Sequence, residues 1–184
     1  MKPTILTISG SLRANSSNNA VIKAAVDFIK DRANIIAYEG LGSLPHFDDN
    51  PMPQKEVMAF RDLIGNVDAV LICSPEYAFG VPGSLKNALD WTVSSGEFMN
   101  KPVALITAAT GGDKAHASLL LTLRVISSVL PDDCGLLLPY IRSKMNDKGE
   151  VTDPVTLAQI KQIAENLLQS VITTQAELEV EGDD

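Results

Sequence analysis

The sequence predicts an α/β fold in which one parallel sheet is covered by helices on both faces. Two observations carry this. Short runs of β-formers that are apolar throughout, such as residues 68–74 (DAVLICS) and 102–108 (PVALITA), alternate with segments whose apolar residues recur at helical spacing. Strands that are apolar on both faces need cover on both sides, which the intervening helices supply. At 184 residues the chain suffices for one domain with a full core and is too short for two comfortable ones.

The elements follow in order. Residues 5–8 read as the first strand, and residues 19–31 as a helix in which Val21, Ala25, Phe28 and Ile29 share one face. Residues 34–38 form a second short strand. Residues 39–53 contain Gly40, Gly42, Pro45, Pro51 and Pro53 and read as a long loop, a feature that in compact domains is often functional. Then come a modest helix at 56–65, the third strand at 68–74, a helix at 84–93 and the fourth strand at 102–108. A long, unusually apolar helix is expected over 115–130, and the fifth strand over 134–138. Asp153 can cap the last helix with Pro154 at its first position, and Ile160, Ile163, Ala164, Leu167 and Val171 form its apolar stripe. Residues 1–175 thus form a single domain, and residues 176–184, dominated by Glu and Asp, are expected as a disordered acidic tail. Five strands with five helices fit the flavodoxin-like strand order 2-1-3-4-5 better than a six-stranded Rossmann sheet.

Composition narrows the function. A formal net charge of -8 argues against nucleic acid or an anionic membrane as the main partner, while leaving room for a small anionic ligand. No apolar stretch approaches the roughly 20 residues of a membrane helix, and the N-terminus lacks the pattern of a signal peptide. Cys73 and Cys134 both fall in apolar runs and read as buried free thiols of a cytoplasmic protein. No metal site is expected.

In a sheet of this order, ligands bind beyond the carboxyl ends of the strands, near the switch point between the first and third. Three loops converge there. The first, GSLRANSSNN at 10–19, offers the hydroxyls of Ser11, Ser16 and Ser17 with that of Ser9 just before it, the amides of Asn15, Asn18 and Asn19, and the Arg13 guanidinium. It leads into a helix N-terminus, where free N–H groups and the helix dipole favour an anion. One arginine among hydroxyls suits one terminal phosphate. The triphosphate motif G-x-x-x-x-G-K-[ST] is absent, as is G-x-G-x-x-G after this strand. An ordinary polar, capped turn is the competing reading.

The second loop lies in SPEYAFGVPGSLKNALDW (74–91). Pro75 and Pro82 stiffen it, Gly80 and Gly83 permit close backbone approach, and Tyr77 and Phe79 offer apolar faces. The helix that begins near Gly83 points its N-terminal dipole toward the same region. Glu76 reads equally as a cap or a ligand contact, Lys86 as a surface charge, and Trp91 as a core anchor.

With LPHFDDN between them, GSLRANSSN and PEYAFGVPGSLKNALDW resemble the NADPH-dependent FMN reductase family, which includes quinone, azo-dye and chromate reductases. The resemblance implies FMN as cofactor, NADPH or NADH as co-substrate, and a homodimer or homotetramer. It implies that Ser11, Arg13, Ser16 and Asn18 hold the FMN phosphate, with Ser9 and Ser17 beside them. Pro75, Glu76, Tyr77, Ala78 and Phe79 would line the isoalloxazine, and Gly111 and Gly112 would close its other side. The chain departs from the family at Ala78, where relatives carry Asn, and at Lys114-Ala115-His116, where many carry a second glycine pair; His116 reads as facing either the flavin or the surface.

The expected function is therefore an NAD(P)H oxidoreductase in which the flavin, not a catalytic side chain, carries the chemistry. Hydride would pass from nicotinamide to flavin and on to a small acceptor such as a quinone, azo compound, chromate or free flavin, in a ping-pong sequence. The alternative is a flavodoxin-like electron carrier or a flavin-binding module without NAD(P)H turnover.

Overall fold

The computed structural model describes residues 2–131 and 133–181. Its elements alternate: β1 (Thr4–Ser9), α1 (Ser17–Ile29), β2 (Asn34–Tyr38), α2 (Lys55–Gly65), β3 (Ala69–Ser74), α3 (Gly83–Asp90), β4 (Val103–Ala108), α4 (Asp113–Val125), β5 (Gly135–Leu138) and α5 (Pro154–Glu181). The five strands form one parallel sheet in the order β2-β1-β3-β4-β5. The expected order is thus the observed one, and the switch point lies between β1 and β3.

Strand alternation divides the core into two layers. On one face Ile5, Leu71, Cys73, Ala104 and Ile106 pack against Val21, Ala25 and Ile29 of α1 and Ile160, Ile163, Ala164 and Leu167 of α5. On the other, Leu6, Ile8, Val70, Ile72 and Leu105 meet Val57, Phe60 and Ile64 of α2, Leu85 and Leu89 of α3, and Leu119 and Leu123 of α4. Every residue of β3 and β4 is buried, as their uninterrupted apolar runs require.

Helix ends follow local chemistry. Asp153 Oδ2 accepts from the Thr156 amide at 2.8 Å and from its hydroxyl at 2.6 Å, capping α5 as expected. α4 stops at Val125, short of the expected 130. Ser127 adopts φ 62°, its amide donates to Arg124 O (3.0 Å), and the Ser128 amide donates to Leu123 O (3.1 Å). This is a Schellman motif with serine where glycine is usual, and it frees Val129 to bridge Pro102 beside β4. α5 is helical as far as Glu181, past the boundary expected at residue 175; the rest of the expected tail, 182–184, lies outside the described residues.

Candidate active site

The carboxyl ends of β1, β3, β4 and β5 open into a cavity of about 1000 Å3. On its first side, Gly10 starts the β1 loop pinned against β3: its amide donates to Cys73 O at 2.8 Å. A Cβ there would stand 2.9 Å from Ser74 Oγ and 3.1 Å from Leu85 Cδ2, so the approach requires glycine. The loop then folds on itself. Ser11 Oγ accepts from the Arg13 amide (3.3 Å), and Asn19 Nδ2 donates to Ala14 O (2.9 Å). Ser16 is the N-cap of α1, its Oγ accepting from the Asn19 amide at 3.1 Å. The amides of Ser17 and Asn18 keep no protein partner among the described residues and point out of the helix end, as the first-turn amides of a helix do. Arg13 is exposed and forms no ion pair with a described residue. Free amides, hydroxyl protons and an unpaired guanidinium make this wall receptive to one phosphate-sized anion.

The β3 loop forms the next wall. Tyr77 and Gly80 exchange two backbone hydrogen bonds (3.0 and 2.9 Å) around Ala78 and Phe79, whose φ values of 49° and 58° define a type I′ turn. Neither residue favours that left-handed region. The turn consumes the Tyr77 and Gly80 amides, leaving those of Glu76, Ala78 and Phe79 without a partner among the described residues. Phe79 is 81% exposed. α3 starts just beyond, at Gly83, with no side-chain cap on its N-terminus.

Glu76 has a definite task. Its Oε1 accepts from the Gly112 amide (3.2 Å), and its Oε2 accepts from the amides of Lys114 (3.0 Å) and Ala115 (2.9 Å). The carboxylate thus caps α4 from across the site, where the helix's own N-cap, Gly112, has no side chain to do so. Gly112 itself sits at φ 110°, and a Cβ would come within 2.8 Å of Leu137 Cδ1. His116 turns away from the cavity: its Nδ1 lies 2.9 Å from Thr107 Oγ1, and burial lowers the imidazole pKa.

Residues 39–53 are anchored to α3 and Trp91 at Pro45 and Phe47. Pro45 O accepts from Trp91 Nε1 (2.8 Å) and Asn87 Nδ2 (2.9 Å), while Asn87 Oδ1 accepts from the Phe47 amide (2.8 Å). Trp91 is fully buried, edge-on to Phe47, with the Arg61 guanidinium 5.8 Å from its ring. It is the core anchor the sequence suggests.

Of the residues expected at the site, Ser11, Arg13, Ser16, Ser17, Asn18, Pro75, Glu76 and Tyr77 line the cavity. Ser9 does not: its hydroxyl donates to Ser11 O (3.3 Å), and it borders a smaller cavity of about 430 Å3 between α1 and β2. Ala78, Phe79, Gly111 and Gly112 also lie outside the lining. A fourth wall escaped the sequence reading. Residues 140–143 and 145–149 also line the cavity, held to the β4 loop by the amides of Tyr140 and Ile141 donating to Thr110 O and Ala109 O (both 3.2 Å). This wall carries Arg142 and Lys148, exposed and without an ion-pair partner among the described residues. The signal was present in IRSKMNDKG, which follows the fifth strand at the same sheet edge as the other loops.

The NADPH:quinone oxidoreductase of Arabidopsis thaliana is 32% identical over 178 residues, spanning 89% of this chain and 90% of that protein. The quinone reductase of Escherichia coli strain K12 is 28% identical over 166 residues, 85% of this chain and 88% of that one. Among solved structures, FerB, a flavoenzyme NAD(P)H:(acceptor) oxidoreductase from Paracoccus denitrificans, superposes with a TM-score of 0.82 at 26% identity, covering 94% of this chain and 98% of that chain. A family model matches residues 3–141, which hold every strand of the sheet and the first three loops complete. By that match the chain belongs to the NADPH-dependent FMN reductase family.

Proposed function

We propose that this protein is an FMN-dependent NAD(P)H oxidoreductase acting on a small acceptor such as a quinone, azo compound, chromate or free flavin. One observation carries the reading. A single-anion wall at the α1 N-terminus shares its cavity with the Pro75–Tyr77 segment, whose free backbone donors continue at Ala78 and Phe79. That pairing fits FMN. Ser11, Ser16, Ser17, Asn18 and Arg13 suit the phosphate end, while the unpaired amides of Glu76, Ala78 and Phe79 suit the polar edge of a planar ring. Bound FMN supplies hydride and electron transfer between nicotinamide and acceptor. The chain's own part is to hold the phosphate, orient the ring, and stabilise negative charge with amides and the α3 dipole.

Donor and acceptor take turns over one site, giving ping-pong kinetics. Arg13, Arg142 and Lys148 around the cavity of an acidic chain draw anionic nucleotides toward it. The enzyme works in the cytoplasm as a homodimer or homotetramer, and Leu121 and Val125, exposed on α4, supply apolar contact area. No helix among the described residues is long and apolar enough to cross a membrane. An electron carrier is not favoured: the resemblance to an archaeal flavodoxin, at 13% identity, concerns the fold alone, whereas the sequence relatives above are reductases. The test is a spectrum. The purified protein should be yellow and bleach on anaerobic addition of NADPH, and double-reciprocal plots at several fixed acceptor concentrations should be parallel. A yellow protein that NADPH leaves unbleached would refute the reductase; intersecting lines would refute the shared site.

A further inference from the structure

Cys73 lies at the last but one position of β3, 0% exposed, with its side chain on the α1 face of the sheet. Asn18, in the first turn of α1, is 2% exposed. The Cys73 thiol donates to Asn18 Oδ1 at 3.2 Å. Asn18 Nδ2 has no partner among the described residues, yet no buried side-chain nitrogen or oxygen among them lacks one. That nitrogen therefore reaches the cavity that Asn18 lines. Ser17, whose backbone amide is free like that of Asn18, lines the same cavity.

We propose that Cys73 is a positioning residue for the phosphate site: its S–H holds the Asn18 amide with oxygen inward, so that the NH2 group faces the anion. The inference rests on FMN being the ligand of the cavity. An amide has two orientations that fill the same space and differ only in which end donates. With Nδ2 turned inward, the thiol would meet a donor that sulfur accepts only weakly, and Oδ1 would face phosphate oxygens as one acceptor toward others. A protonated thiol selects against that flip, and burial pushes the thiol pKa well up, which keeps the proton in place. A buried thiol usually counts as a small apolar side chain; this one has the amide within hydrogen-bonding reach and no aqueous competitor.

The experiment is a fluorescence titration of the apoprotein with FMN, and with riboflavin, which lacks the phosphate. Cys73→Ala and Cys73→Val remove the donor and should each weaken FMN binding about five-fold, the worth of one neutral hydrogen bond, leaving riboflavin unchanged. Cys73→Ser restores a donor and should bind FMN within two-fold of the parent. In an Asn18→Ala background, Cys73→Ala should have no further effect on FMN. Thermal melts identify any variant that fails to fold, and the serine variant with the double-mutant comparison then carries the test. Equal losses for serine and alanine would overturn the proposal, as would parallel losses of FMN and riboflavin, or additive effects in the double variant. If the parent apoprotein binds no FMN at all, the reading of the cavity fails instead.

Discussion

Removing the Glu76 carboxylate tests whether the two loops that flank the proposed ring site form one unit. In the native structure three amides at the start of α4, those of its N-cap Gly112 and of Lys114 and Ala115, donate to it at 2.9–3.2 Å. Glu76→Ala leaves all three without a side-chain acceptor at a partly buried helix end. Loss of an N-cap costs about 0.5–2 kcal/mol, and loss of a carboxylate at the positive end of a helix adds about 0.3–1 kcal/mol. The expected destabilisation is therefore about 2 kcal/mol, or a fall in Tm of roughly 4–8 °C for a chain of this length. Glu76→Gln keeps one acceptor oxygen but loses the charge and turns an NH2 toward an amide, so it should lie between alanine and the parent. Urea unfolding of the apoprotein, followed by far-UV circular dichroism, removes ligand linkage from the comparison. A Glu76→Ala change below about 0.5 kcal/mol, within the range of ordinary surface substitutions, would refute the reasoning.

Arg13→Ala should weaken FMN binding by about 1.5–3 kcal/mol, the worth of a charge-assisted hydrogen bond, and leave riboflavin unaffected; equal affinities in a fluorescence titration would remove Arg13 from the site. Ala78→Asn places a residue that tolerates φ near +50° in the type I′ turn and should stabilise the protein by about 0.5–1 kcal/mol. FMN affinity should stay within two-fold, because the turn offers its backbone amides rather than a side chain; a large change in affinity would show a side-chain contact instead. Because burial lowers the His116 pKa in the folded state, its contribution to stability is fully present above the ordinary value of 6.5 and declines as the pH falls below it. Urea midpoints between pH 8 and 5 should show this slope in the parent and a shallower one in His116→Gln.

The sheet was legible because burial on both faces leaves its mark on every residue of β3 and β4. The start of α5 was legible because Asp153, Pro154 and Thr156 act within one turn of chain. What escaped is long-range or conformational. Glu76 reads as a cap or a ligand contact, but the helix it caps, α4, lies 36–39 residues further along the sequence, and a glutamate after a Ser-Pro pair does not say which helix that is. The early stop of α4 depends on Ser127 taking a left-handed conformation that its side chain does not announce. The 140–149 wall belongs to the site only because β5 lies beside β4 in the sheet.

The anchoring of residues 39–53 makes the protein its own reporter. Trp91 is the only tryptophan in the sequence, and its indole N–H is committed to Pro45 O, on a segment absent from the cavity lining. In the apoprotein the wavelength of its emission therefore registers whether that segment is seated. Detachment of residues 39–53 would expose the indole to water and shift its emission to the red while the sheet stays intact. A red shift that precedes the loss of circular dichroism would separate local opening from global unfolding in a single titration.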